Sequence, residues 1–269
     1  MKETKVVRAF PRVVALVAAL LAGGVGLGAG SASHGGEAPS PRAERKHVRE
    51  AKPPAAQEAP APRPAGGHGG PDTSGVAPLD PQEVWEELMR GNGRFVAGKP
   101  QPRALVSLRH ELSRGQHPRA IVLGCSDSRV SPELVFDQTL GELFVVRTAG
   151  NIADAVARGS IEYAVDHLHA QLLVVLGHEK CGAVAAAASG EKMPTLNLEA
   201  IVRKISPALL PLQASGDRLV SLGVEANVRQ SARDVVELSP MLRLKLEAKR
   251  LGLVKAVYRL ETGEVARLP

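Results

Sequence analysis

Two short segments of the chain carry the residues best suited to metal chemistry: GCSDSR at residues 124–129 and GHEKCG at residues 177–182. They hold both cysteines of the sequence, Cys125 and Cys181, and the histidine His178. Thiolate and imidazole are the ligands that Zn²⁺ prefers in a tetrahedral array, and the step from His178 to Cys181 is a local ligand spacing. The two segments therefore predict a metal site with three soft ligands.

The number of soft ligands bears on the kind of site. Structural zinc sites are usually closed by four Cys or His ligands, so a set of three leaves one position open or held by a carboxylate, as in a catalytic zinc site. Asp127 can supply that carboxylate, and Arg129 can hold it in a bidentate pair. The alternatives are that the cysteines and His178 are ordinary core residues, or that Asp127 caps a helix.

The elements that must position these residues are two apolar runs. AIVL at residues 120–123 precedes the first segment and LLVVL at residues 172–176 precedes the second. Short runs of this kind closed by glycine are typical of buried parallel strands. Because loops that leave the carboxyl ends of neighbouring parallel strands share one crevice, we expect the ligands to meet there.

The rest of the folded region alternates helices with strands. Asp80 followed by Pro81 predicts the start of a first helix. Further helices are predicted near residues 104–114, from 131, and at 154–168, 183–188, 196–212, 216–237 and 240–250. Further strands are predicted at residues 143–146 and 253–258 and at Val265. This order predicts an α/β fold whose mainly parallel sheet is flanked by helices.

The first 78 residues differ from the rest. Residues 1–33 carry four basic side chains before a short, glycine-interrupted apolar segment, which predicts an export signal and a periplasmic or secreted protein. An uncleaved membrane anchor is the alternative; a cleaved signal would leave no stable membrane span. Residues 34–78 hold nine prolines and predict a disordered linker, so the folded domain is expected at 79–269.

Charge and cysteine usage narrow the classes of partner. The formal net charge is +6, and residues 1–33 hold four basic residues and one acidic residue, so the predicted domain carries little of it. A nearly neutral domain gives no electrostatic reason to expect a nucleic-acid partner. Export would favour a disulfide between the two cysteines, which is the competing use to metal binding.

Taken together, these motifs resemble those of the β-class carbonic anhydrases. CSDSR followed by GHEKCG is the core of the likeness, which extends over nearly all of residues 81–269. It includes GNGRF at 91–95, GELFVVR at 141–147 and SIEYAV at 160–165. The resemblance implies one Zn²⁺ per chain and reversible hydration of CO₂ to bicarbonate and a proton by zinc-bound hydroxide. Because two thiolates would already neutralise the Zn²⁺ charge, we expect its water to ionise at higher pH than on a zinc held by three neutral histidines, so activity should rise on the alkaline side.

The resemblance also implies roles for particular residues. The zinc ligands it implies are Cys125, His178 and Cys181, with Asp127 as a further metal ligand in a closed state. The catalytic dyad it implies is Asp127 and Arg129. The substrate-binding residues it implies are Gln116, Phe144, Tyr163 and the amide of Gly182. Candidate proton shuttles, which the sequence does not rank, are His110, His117, His167 and His169.

The resemblance also implies an assembly of chains, and two rival functions stay open. In the resembling family the cleft lies at a dimer interface, so residues 81–115 are expected to form an N-terminal helical arm in a homodimer or a dimer of dimers. One rival is a hydrolase of carbonyl sulfide or carbon disulfide on the same scaffold. The other is a non-catalytic exported zinc-binding protein, against which Gln116, Asp127 and Arg129 together argue.

Overall fold

The computed structural model describes residues 79–269, so the predicted export signal and linker lie outside the described residues and remain predictions. The strands are β1 (Ala120–Cys125), β2 (Leu143–Thr148), β3 (Leu172–His178), β4 (Gly252–Tyr258) and β5 (Val265–Arg267). They form a sheet in the order β2-β1-β3-β4-β5, parallel except for β5, which pairs antiparallel with β4. β1 and β3 are neighbours, as a shared metal site requires.

Helices fill the intervals between the strands. Within the described residues they are α1 (Pro81–Val96), α2 (Leu105–Leu112), α3 (Pro132–Val135), α4 (Ala155–Asp166), α5 (Gly182–Ser189), α6 (Leu196–Leu209), α7 (Gly216–Glu237) and α8 (Pro240–Glu247). The predicted α/β class with a mainly parallel sheet is therefore confirmed. In this part of the chain, every helix falls short of the length and apolar character that a membrane crossing needs.

The ends of the two central strands differ from the prediction. The apolar runs were expected to stop before the glycines, but β1 continues through Gly124 to Cys125 and β3 through Gly177 to His178. A Cβ at Gly177 would lie 2.5 Å from Cγ2 of Val228 on α7. Gly177 therefore marks a close approach of helix to strand, and the metal-site residues are the last residues of rigid strands.

Alternate side chains of the central strands feed two separate cores. Ile121 and Leu123 lie in a large cluster under the helices α4 to α8. Val122 faces the other way, into a smaller cluster that includes Trp85 and Leu88 of α1. This alternation is the period of two that an extended strand imposes on its side chains. Both faces are covered, so the sheet is a fixed platform for the residues at its carboxyl edge.

The two helices of the N-terminal arm are held very differently. Asp80 caps α1 by accepting a hydrogen bond from the Gln82 backbone amide at 2.9 Å, and α1 buries an apolar side. Every residue of α2 remains at least partly exposed in this chain, and Val106 is 74% exposed. The arm thus has one helix anchored to the sheet and one with its apolar side chains open.

Candidate metal centre

Three ligand atoms converge where β1 and β3 end. Cys125 is the last residue of β1, His178 is the last residue of β3, and Cys181 is the N-cap of α5. One ligand atom from each lies within 4.8 Å of the other two, and all three residues are buried. The two cysteines are free thiols, so the disulfide alternative is not the arrangement the structure has.

The orientation of His178 leaves one nitrogen for a metal. Its Nδ1 lies 2.9 Å from the backbone oxygen of Glu179. A carbonyl can only accept, so Nδ1 carries the proton and Nε2 presents a lone pair. Nε2 is buried and has no hydrogen-bond partner among the described residues. A buried, unpaired imidazole nitrogen beside two sulfurs fits a zinc ligand oriented through its other ring nitrogen.

The two thiols share one proton in the absence of a cation. A hydrogen bond from the Cys181 thiol lowers the pKa of Cys125 to about 4, and the Gly150 amide adds to this lowering. The same bond, and burial, raise the pKa of Cys181. Two neighbouring buried thiolates need a positive charge between them, which a divalent cation supplies better than a single proton. The donor set therefore fits Zn²⁺.

Asp127 and Arg129 form a bidentate pair beside this cluster. Arg129 donates from Nε to Oδ1 at 2.9 Å and from Nη2 to Oδ2 at 2.8 Å. These bonds hold the pKa of Asp127 well below its usual range, so the carboxylate stays ionised. Oδ2 lies 3.8 Å from Nε2 of His178. Asp127 thus faces the centre but is engaged by Arg129, and its predicted use as a metal ligand stays a prediction.

Several groups that hold the metal centre in place were not predicted to take part in it. Arg147 donates to the backbone oxygens of Cys125 at 2.9 Å and Asp127 at 2.6 Å, which ties down the loop after β1. The Gly150 amide donates to the Cys125 sulfur at 3.3 Å. The backbone oxygen of Glu179, which lies 2.9 Å from Nδ1 of His178, was not predicted either. Glu179 lies inside the GHEKCG motif, but a sequence gives little indication of what a backbone group contacts. The Gly150-Asn151 pair after β2 was the available hint of a special turn.

Phe144 and Tyr163 lie together but away from the metal centre. Their ring centroids are 6.3 Å apart. Thr148, not Phe144, is the β2 residue paired with Cys125. Phe144 is four residues earlier on β2, which at about 3.3 Å per residue places it roughly 13 Å back along the strand. These two side chains therefore do not line a pocket over the metal centre of their own chain.

Gln116 also lies away from the metal centre, whereas Gly182 lies next to it. Gln116 precedes β1 and lines an open groove with Arg109, Leu112 and Leu140. Cys125 lies at the other end of β1, about 17 Å further along the strand direction. Gly182 directly follows Cys181 as the first residue of α5, so it lies beside one of the three candidate ligands. The structure thus separates the predicted residues into a metal end and an opposite end.

Comparison with known proteins agrees with the architecture. A family model described as carbonic anhydrase matches residues 120–265. Carbonic anhydrase 2 of Mycobacterium tuberculosis is 39% identical over 188 residues, which cover 68% of this chain and 91% of that protein. The carbonic anhydrase of Mycolicibacterium smegmatis is 39% identical over 190 residues, covering 69% and 92%. The structure of the β-carbonic anhydrase CcaA superposes with a TM-score of 0.56 at 28% identity, covering 69% and 86%.

Proposed function

This chain belongs to the β-carbonic anhydrase family of carbonate dehydratases, and we propose that it hydrates CO₂ reversibly to bicarbonate and a proton with one zinc ion held by Cys125, His178 and Cys181. The observation that carries the proposal is the convergence of these three ligand atoms within 4.8 Å. A zinc ion held there would lower the pKa of a water molecule and so supply hydroxide near neutral pH.

Asp127 would orient the attacking group and not remove its proton outright. A carboxylate with a strongly lowered pKa is a weak base, so it accepts a hydrogen bond without keeping the proton. Oδ1 accepts two hydrogen bonds, from the Arg129 backbone amide and Nε, whereas Oδ2 accepts one, from Nη2, and keeps a lone pair that can face the centre. Arg129 and Arg147 would keep that oxygen in place, and the Gly182 amide would bind a substrate oxygen.

We propose that a second copy of the chain completes the substrate pocket. The metal end lacks the aromatic pair Phe144 and Tyr163, and Tyr163 is 42% exposed in one chain. In a twofold dimer each chain presents the same surface to its partner, so the opposite end of one chain can cover the metal end of the other. Gln116, Phe144 and Tyr163 would then line the partner's site, and two equivalent sites would form.

The exposed apolar side chains support this assembly. Val106 of α2 and Leu140, which lies in the same groove as Gln116, are both exposed. A helix that leaves all of its residues at least partly exposed in its own chain is marginal in water without a partner. Residues near Gln116 and the arm would therefore be covered together, by a homodimer or a dimer of dimers.

We propose that His167 is the proton shuttle among the four candidates. Its ring stacks on Tyr163 with centroids 4.9 Å apart, and its side chain is 57% exposed. Imidazole exchanges protons near neutral pH, so a ring between the pocket aromatics and solvent can pass a proton to buffer. Since Tyr163 would serve the partner's site, His167 would serve that site as well.

We also propose that the protein is exported, on the strength of the basic residues and apolar segment within residues 1–33. The proline-rich residues 34–78 would then form the amino-terminal part of the mature protein and lead into the enzyme domain as the linker that the sequence predicts. Sequencing the amino terminus of the protein recovered from each cell fraction tests this. A mature protein found outside the cytoplasm and beginning near residue 34 is expected; a cytoplasmic protein that begins at Met1 contradicts it.

The proposed reaction is tested by stopped-flow hydration of CO₂ on the purified full chain, with metal analysis of the same sample. We expect rapid hydration and about one zinc per chain. Carbonyl sulfide and carbon disulfide are assayed in parallel, because the same scaffold could favour them. Faster sulfide release than CO₂ hydration would overturn the substrate assignment, and bound zinc without either activity would overturn catalysis.

A further inference from the structure

Asn227 is a polar residue on the buried side of α7, which is mostly apolar. It is 1% exposed; Val224, three residues before it, and Val228, directly after it, are buried as well. Its Nδ2 donates to the backbone oxygen of Gly150 at 2.7 Å, while its Oδ1 has no partner among the described residues. Burying an unpaired amide oxygen costs free energy. Packing alone therefore does not account for an asparagine at this position.

The partner of Asn227 is the residue that touches the Cys125 sulfur. Gly150 has a φ of +74°, in the left-handed region, and its N–H donates to Cys125 Sγ at 3.3 Å. A Cβ at this position would lie 2.7 Å from Cδ1 of Ile205 and 3.1 Å from Cβ of Ala183. Gly150 is thus wedged between helices, with its amide toward the sulfur and its carbonyl toward Asn227.

The helix that carries Asn227 also contacts the strand that carries His178. Val228 and Val224 pack against the bare backbone of Gly177, where a Cβ would lie 2.5 Å and 3.3 Å from their side-chain methyls. His178 is the next residue after Gly177. One rigid helical surface therefore fixes the backbone next to His178 and, through Asn227, the backbone next to Cys125.

We propose that Asn227 is a positioning residue for the metal centre, which holds Gly150 so that the Gly150 amide donates a hydrogen bond to the Cys125 sulfur. Hydrogen bonds to a ligand from outside the coordination sphere orient it and tune the metal. An N–H donor also stabilises the sulfur lone pairs and reduces the charge that the thiolate gives to the metal. This inference rests on the proposed zinc site but concerns a residue that does not touch the metal.

The experiment compares full-length wild type with Asn227→Ala and Asn227→Ser. Each protein is stripped of metal and reloaded with cobalt(II), whose thiolate complexes absorb in the near ultraviolet through sulfur-to-metal charge transfer. Zinc dissociation constants are measured in parallel by competition with a chromophoric chelator. Without the hydrogen bond, the sulfur electrons lie higher in energy, so the band should move to longer wavelength. The thiolate would give more charge to the metal, but Cys125 would no longer be held in its binding orientation, and this loss should dominate, so zinc affinity should fall about tenfold to a hundredfold.

Asn92 supplies a matched control on the other face of the sheet. It is a buried asparagine of α1 that donates to the backbone oxygens of Val135 at 3.0 Å and Gly263 at 2.8 Å. It also accepts from the Val265 amide at 3.0 Å. Asn92→Ala should therefore lower folding stability while leaving the charge-transfer band and the zinc dissociation constant within twofold of wild type.

The outcomes separate this inference from the function it rests on. Wild type that shows no thiolate charge-transfer band refutes the zinc site itself. If wild type shows the band and the Asn227 variants leave both the band and the zinc affinity unchanged, only the positioning role is refuted. Equal changes in the Asn92 and Asn227 variants would also overturn it, because they would report general loosening. Asn227→Ser keeps a small polar side chain, so it decides the case if Asn227→Ala fails to fold.

Discussion

The metal end of the sheet and the opposite end differ in how complete they are within one chain. At the metal end, the candidate ligands Cys125, His178 and Cys181 are buried; Cys125 and His178 are each oriented by a backbone group, and Cys181 lies at the N-cap of α5. At the opposite end, Gln116 and Tyr163 are exposed. A single chain therefore presents all three candidate metal ligands, whereas binding the substrate is proposed to need a second chain. This division tells us which substitutions should separate zinc binding from catalysis.

The largest effect is expected at the metal end. Replacing Cys181 by serine, Cys181→Ser, removes a soft thiolate that an oxygen ligand does not replace well on zinc. Zinc content should fall from about one per chain to near zero, and CO₂ hydration should be lost with it. Metal analysis after gel filtration measures this. A variant that retains zinc and full turnover would show that Cys181 is not a ligand.

The next largest effect separates catalysis from metal binding. Asp127→Ala should keep zinc, because the three soft ligands remain, but should lower the hydration rate on the order of 10³-fold by removing the orienting acceptor. Asp217→Ala is the control, since Asp217 is an exposed carboxylate in the first turn of α7. Full activity in Asp127→Ala would refute its role, and loss of zinc would show that it acts as a ligand.

Disrupting the N-terminal arm tests whether residues at the opposite end of one chain act on the metal site of its partner. Val106→Glu places a charge on the exposed side of α2, so it should dissociate the assembly. The separated chains should keep zinc but lose about 10²-fold in turnover, because substrate is no longer positioned. Sedimentation, zinc content and hydration rate are measured on one sample, with the exposed Leu196→Glu on α6 as control. A fully active monomer would contradict the shared pocket.

Proton transfer gives a smaller, buffer-dependent effect. His167→Asn should lower hydration about tenfold at low buffer concentration and much less at high concentration, since buffer then takes the proton directly. Added imidazole should restore the rate. His169→Asn is the control, because His169 has a left-handed backbone conformation that asparagine tolerates. An equal loss at all buffer concentrations would mean that His167 acts on substrate binding.

The smallest effect on activity is expected at the anchor of the arm. Asp137 is buried and accepts from Arg94 Nε of α1 at 2.6 Å and from Arg103 Nη2, in the segment that joins α1 to α2, at 2.7 Å. Asp137→Asn should lower the free energy of unfolding by about 3 kcal/mol at pH 7, as expected for removing one partner of a buried ion pair. Denaturant unfolding measures this, and zinc content should not change.

The pH dependence of this effect follows from the Asp137 carboxyl. Burial alone would raise its pKa, but hydrogen bonds from Arg94 and the Gln101 amide, with the charge of Arg103, lower it below the ordinary value. The stabilisation is therefore fully present above about pH 4, the ordinary range of an aspartate, and is lost as pH falls through the lower folded pKa. The gap between wild type and Asp137→Asn should shrink in acid. A constant gap would contradict the ion-pair account.

The sequence predicted the fold well because its local signals agree. Asp80 and Pro81 marked the start of α1, and the apolar runs at residues 120–123 and 172–176 marked β1 and β3. The ends of those strands were misplaced because glycine was interpreted as a stop. At Gly177 the glycine instead makes room for Val228, a contact distant in sequence.

The site was predicted in its chemistry but not in its geometry. Cys125, His178 and Cys181 were identifiable because their residue types are rare and metal-specific. That Phe144 and Tyr163 lie away from the metal could not be predicted, because a resemblance names residues without saying which chain they serve. Gly150 and Asn227 were missed because one acts through its backbone and the other is a single polar residue within a helical pattern.

The central claim is that the thiolates and imidazole at the ends of β1 and β3 hold the zinc that drives CO₂ hydration. Titrating zinc into metal-free full-length protein, and measuring bound zinc and stopped-flow hydration at each step, tests this most directly. We expect the rate to rise linearly with bound zinc and to stop rising at about one zinc per chain. Hydration at full rate without metal, or one tightly bound zinc with no hydration, would contradict the account.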